Sequence, residues 1–150
     1  MVRKFWLYAP LIHSEELKDH DLVKTKIEEM RRDVEAYSGR RDPARDTWEE
    51  DAKDVTLFAR LVKEEPPKTF ADFFFWLFRV FDAHRPIIER YGRYPYRNVA
   101  QGRETSEAEE HYLQLTENFG MPELSEEEVQ KLKRQVKEDV WDPLSDSGPA

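Results

Sequence analysis

The sequence predicts an all-α protein of about five helices, and three observations carry that prediction. Apolar residues recur at intervals of three and four over most of the chain. Glycine, proline and serine stand where those intervals start and stop. No segment alternates with period two for long enough to read as a strand.

Taken in order, Val23, Ile27, Met30, Val34 and Tyr37 form one apolar stripe on a helix from about Asp21 to Tyr37. Gly39 stands just past its end, where a left-handed stop is needed. Gly39 to Asp46, charged and holding Pro43, reads as a loop. Trp48, Ala52, Val55, Ala59 and Val62 make a second helix, widened by Leu57, Phe58 and Leu61 and stopped by Pro66-Pro67. Thr69 caps a third, whose stripe is Phe70, Phe74, Leu77, Phe81, His84 and Ile88. Its only polar strip runs through Asp72, Arg79 and Asp82, so it is expected at the centre of the fold. Pro86 breaks it or opens a short new helix. Ser106 to Glu109 and Ser125 to Glu128 are capping-box patterns ahead of two further helices, the last carrying Val129, Leu132, Val136 and Val140 on a thin, peripheral stripe.

Composition agrees with one domain, residues 1–143, followed by a frayed tail, 144–150. Charged residues reach 37% and mean hydropathy is -0.87, yet aromatics make up 13%, too many for a disordered chain. A net charge of -8 opposes binding to a phosphate backbone, so no nucleic-acid partner is expected. Without cysteine there is no disulfide and no thiolate site. His13, His20, His84 and His111 show no metal-ligand spacing, and no motif implies a metal or cofactor. No apolar run approaches the ~20 residues that span a bilayer. The opening Arg3-Lys4 and Phe5 to Ile12 lack a cleavage site, so a signal peptide is rejected and a cytoplasmic setting expected.

Two groupings could carry chemistry. Arg90 to Asn98, extended to Arg103, gathers arginine and tyrosine in an acidic chain. Arg93, Arg97, Tyr94, Tyr96 and Asn98 there offer planar donors and flat surfaces to a carboxylate or phosphate. The opposing reading has the same arginines paired with acidic helices. His13 with Glu15, and His84 on an apolar helix face, are acid–base candidates. Their structural readings are a helix start capped by Ser14 and a satisfied core histidine.

Two blocks also carry a family resemblance. Tyr8-Ala9-Pro10-Leu11-Ile12-His13-Ser14-Glu15-Glu16-Leu17 is one; His84-Arg85-Pro86-Ile87-Ile88 through Gly92-Arg93-Tyr94-Pro95-Tyr96-Arg97-Asn98 to Thr105 is the other. Over about Phe5 to Phe119 the chain resembles the C-terminal half of domain of unknown function family 924, of tetratricopeptide-like (TPR-like) fold. The resemblance implies stacked helical hairpins and no assigned reaction. Tyr96 stands where the family often has histidine, Pro86 where a helix former is usual, and Arg40 to Thr47 looks inserted. The family's N-terminal half has no counterpart, so a site shared between halves would be held here in part.

Two functions are therefore expected as alternatives. One is a binding or scaffold module taking an acidic peptide or small anion on the arginine–tyrosine loop. The other is a small-molecule enzyme or isomerase, with His13, Glu15 and His84 as acid and base and arginines fixing an anionic substrate. The apolar opening, through Phe5, Trp6, Leu7 and Leu11, is expected at a homo-oligomer or partner-protein interface.

Overall fold

The computed structural model of the chain describes residues 2–65, 67–120 and 124–138, and their regular structure is all helical. They fall into two compact units, Met1–Tyr94 and Pro95–Ala150.

In the first unit, α1 (Val2–Ile12) converts the apolar opening into an amphipathic helix. Phe5 and Ile12 turn into the core, with the Phe5 ring 4.2 Å from that of Phe81. Leu11 is half-buried, whereas Trp6 and Leu7 stand out at 68% and 72% exposure. The outward apolar surface is thus narrower than the sequence implies. A short connection leads into α2 (Leu17–Ser38), which packs on α1 and buries Val23, Ile27, Met30 and Val34. Tyr37, the last member of the expected stripe, is exposed beyond the core. Ser14 does not cap α2: Glu16 holds that position, while the Ser14 hydroxyl accepts from the Glu16 amide at 3.1 Å and donates to Asp19 at 2.6 Å. Gly39, at φ 67°, ends the helix as expected.

The second expected helix is two. After a 3₁₀ turn, Pro43–Asp46, come α3 (Trp48–Asp51) and α4 (Leu57–Leu61). Between them the Asp54 carboxylate accepts from both the amide and hydroxyl of Thr56, a local bond that competes with helix continuation. The register restarts, so Leu57, Ala59 and Leu61 are buried and Val62 is exposed.

α5 (Phe70–Asp82), capped by Thr69, is central as predicted, but its buried arc is rotated. Ala71, Phe74, Phe75, Phe78 and Phe81 face α1 and α2, while Trp76 and Val80 cover Leu57, Leu61 and Ala83. Phe70 is 51% exposed. A helix apolar round most of its circumference gives periodicity little to choose between arcs. α6 (Arg85–Tyr91) is a separate helix with Pro86 in its first turn, stopped by Gly92 at φ 68°.

The second unit holds a 3₁₀ turn, Pro95–Arg97, then α7 (Glu107–Leu115), a further turn, Glu117–Gly120, and α8 (Glu126–Lys137). Both capping boxes form, at Ser106 with Glu109 and Ser125 with Glu128. Phe119 packs against Tyr96 and Tyr112, at ring separations of 5.0 and 5.7 Å. No residue of α8 is buried, as its thin stripe implies. Val140 and the tail 144–150 lie outside the described residues. Among those described, no helix is long and apolar enough to cross a membrane.

Candidate functional site

The first unit encloses a cavity of about 200 Å³. α2 contributes His20, Val23 and Lys24, spaced so that they share a face. The C-terminal end of α5 adds Phe81 and Asp82, and α6 adds Arg85, Pro86 and Glu89. Ala44, Trp48, Asp51 and Ala52 close it from the 3₁₀ turn and α3, and Ile12 from the end of α1. The walls are mainly apolar.

Its charge is set from behind. Arg31 of α2 has no exposed surface, and its Nη2 donates to Asp82 Oδ2 at 2.6 Å. Its Nε lies 2.8 Å from Asp42 Oδ2, an ion pair in which the N–H is poorly aligned. The guanidinium also stacks over Trp48 and Phe78, 5.1 and 5.7 Å from their ring centres. One buried cation therefore serves the buried Asp42 and the part-buried Asp82, with Glu28 3.7 Å from its Nη1. Burial pushes the Asp82 carboxyl up to about 6 against the pull of Arg31, and burial raises Asp42 too. The Asp82 side chain is 19% exposed and lines the cavity, and no described residue donates a hydrogen bond to its Oδ1.

His20 is buried, which lowers its pKa, and its Nε2–H donates to the Ser14 carbonyl at 2.9 Å. The neutral ring then carries its lone pair on Nδ1. Lys24 holds its ammonium 5.3 Å from the Trp48 ring centre. The remaining charges pair among themselves: Arg79 grips Asp51 through two bonds, and Arg85 is shared by Asp21 and Glu89.

The residues singled out from the sequence lie elsewhere. His13 and His84 come together, ring centres 5.2 Å apart, with Nδ1 donating to the carbonyls of Ala9 and Val80 respectively. Glu15 accepts from the Tyr94 amide at 3.0 Å. Tyr94 is fully buried, donates its hydroxyl to the Ile12 carbonyl, and stands 6.2 Å from the His84 ring. Arg93 is half-buried. In the second unit, Arg97 stacks over Tyr96, and buried Asn98 bonds Thr105 and accepts the Arg103 amide at 2.7 Å. None of these residues lines the cavity.

Sequence reasoning missed Arg31, Asp82, Trp48, Lys24 and His20 as site residues. A signal existed for two of them. Arg31 falls four residues after Ile27, at the edge of a core stripe, and Asp82 sits in the one polar strip of an otherwise apolar helix.

A family model described as "Bacterial protein of unknown function (DUF924)" matches residues 1–117. The chain belongs to this family. The match takes in the whole first unit, so the cavity lies entirely within the family's own region. No curated protein and no solved structure matches the chain.

Proposed function

We propose that this member of the family is a helical binding module whose ligand is a small molecule held in the cavity between α2, α3 and α6. One observation carries the reading: the part-buried Asp82 carboxylate, tied to Arg31, lines a cavity whose walls are mainly apolar with a few charged side chains among them. Pockets of that make-up, with few polar groups among apolar walls, are the usual form of a ligand site. At about 200 Å³ the space is smaller than the roughly 300–1,000 Å³ of drug-sized sites, so the ligand is a small metabolite. The binding role expected from the sequence is kept, and its place moves. Tyr94 and Asn98, expected on an anion-binding wall, are buried and occupied by backbone and Thr105 contacts. A fragment screen read by amide chemical shifts tests this. Hits should move residues of α2, α3 and α6 around Asp82, and hits confined to other surfaces would refute it.

A catalytic reading has its own support in the His13–His84 pair, whose rings stand 5.2 Å apart with each Nδ1 donating to a backbone carbonyl. It requires that any turnover found in a substrate panel vanish in His84→Gln. Self-association through the outward Trp6 and Leu7 is the form of the partner expectation that remains.

A further inference from the structure

We propose that the segment after α7 is a two-state latch. Phe119, seated against Tyr96 and Tyr112, holds Glu117, Asn118 and Phe119 left-handed. Vacating that seat lets α7 run on through Phe119 and carries α8 off the Gly102 loop. The device lies within the second unit, and its failure would leave the binding reading untouched.

Two arrangements compete for these residues. The sequence writes a longer helix than the structure shows. Ala108, Tyr112, Leu115 and Phe119 keep helical spacing, and Gly120 and Pro122 follow as a helix stop. α7 nevertheless ends at Leu115. There the Thr116 hydroxyl donates to the Tyr112 carbonyl at 2.9 Å, and the Thr116 amide bonds the same oxygen at 3.0 Å. Glu117, Asn118 and Phe119 then take φ of 50°, 51° and 58°. Left-handed backbone is normally visited by single residues, glycine and asparagine above all. A glutamate and a phenylalanine flanking Asn118 are therefore held there against their preference. The Phe119 amide reaches only as far as the Thr116 carbonyl, at 3.0 Å, but its ring meets Tyr96 at 5.0 Å and Tyr112 at 5.7 Å. Tyr96 belongs to the 3₁₀ turn before α7, so the contact ties the strained turn to a separate element. Strain that a neighbouring contact must hold in place is a mark of switch segments. The bend also leads the chain to α8, whose Val136 packs closely on Gly102: a Cβ added there would lie 2.9 Å from Val136 Cγ1. A right-handed continuation would send the chain along the axis of α7 instead, about 1.5 Å further with each residue.

Solution NMR on the full chain tests the latch, with a spin label attached through Lys133→Cys on the exposed side of α8, the chain having no cysteine of its own. In the parent, amide–α-proton couplings and strong intraresidue contacts should report positive φ at Glu117, Asn118 and Phe119. The label should broaden the Gly102 amide. Negative φ in the parent rejects the proposal at the outset. Phe119→Ala should convert the three residues to right-handed values, with the proton contacts between residues three apart that mark a helix, and should relieve the broadening. A turn that stays left-handed, or couplings averaged as in a coil, overturns the two-state assignment. Broadening that persists beside a lengthened α7 overturns the release of α8. Should Phe119→Ala unfold the unit, Tyr96→Ser decides on the same two readouts. It removes one face of the seat and leaves Phe119 itself, so it should shift the same signals part of the way. Couplings and broadening equal to those of the parent would reject the proposal.

Discussion

Arg31 Nη2 and Asp82 Oδ2 lie 2.6 Å apart, joining the interior of α2 to the last residue of α5 across 51 positions of chain. The bond sits at the back of the cavity. It couples what holds the two helices together to the charge that a ligand meets.

Arg31→Met keeps an unbranched apolar side chain of similar length but strands Asp42 and Asp82 without their cation. Removing one partner of a buried ion pair costs about 3–5 kcal/mol. Urea denaturation should show a loss of that size, and a loss below about 1 kcal/mol would mean the network carries little of the fold.

Asp82 gives stability a pH signature. Its carboxyl titrates at about 6 in the fold against about 3.9 in an unfolded chain, so the folded state holds the proton more tightly. The associated stability is fully present below pH ~4 and is lost as pH rises through ~6, to the extent of about 2–3 kcal/mol. Asp82→Asn lacks this titration. Its stability relative to the parent should therefore rise by that amount between pH ~4 and ~7, with other groups common to both proteins cancelling.

The rotated arc of α5 separates two phenylalanines that periodicity treats alike. Phe78 has no exposed surface, and Phe78→Ala should cost about 3–5 kcal/mol through the cavity it leaves. Phe70 is half exposed at the first turn, and Phe70→Ala should cost less than half as much. Thermal melts of the two variants side by side check the assignment, and equal losses would contradict it.

Trp6 and Leu7 are the outward half of an amphipathic helix whose inward half is Phe5 and Ile12. Sedimentation over a concentration series should show reversible self-association that Trp6→Glu abolishes without changing helicity. A single monomeric species in the parent at every concentration would remove the proposed interface.

Helix starts and stops were legible because they are written locally. Gly39, Thr69, Ser106 and Ser125 each act within a few residues of themselves, and each does what its type implies. The central place of α5 was legible from its composition. Its buried arc was not, since Phe70, Phe74 and Leu77 are no less apolar than Phe74, Phe75 and Phe78, and only the neighbours decide. His13 and His84 were each singled out from residue chemistry, but their contact across 71 positions was not written in any pattern. The cavity was hidden for a related reason. Its walls come from six elements, and its decisive contact joins a charged residue in one helix to another in a helix read as core. Arg31 was not singled out, because nothing near it in the sequence announces Asp42 and Asp82 as partners.

The segment that supplies the Ala44 and Trp48 side of the cavity is fastened by charge more than by apolar packing. Arg45 binds Glu35 at 2.7 and 2.8 Å and Glu28 at 2.9 Å, holding the Glu35 carboxyl down at about 2, and the Asp42 amide donates to the same Glu35 at 2.8 Å. Such fastenings loosen as mobile ions screen them, whereas the phenylalanines of α5 are indifferent to salt at the same concentrations. This wall of the enclosure thus answers to ionic strength more than the phenylalanine side of α5 does. Amide exchange at Trp48 to Asp51 should quicken with added salt while that of α5 stays fixed, which would make the Ala44–Trp48 side the part of the enclosure whose opening the surrounding electrolyte tunes.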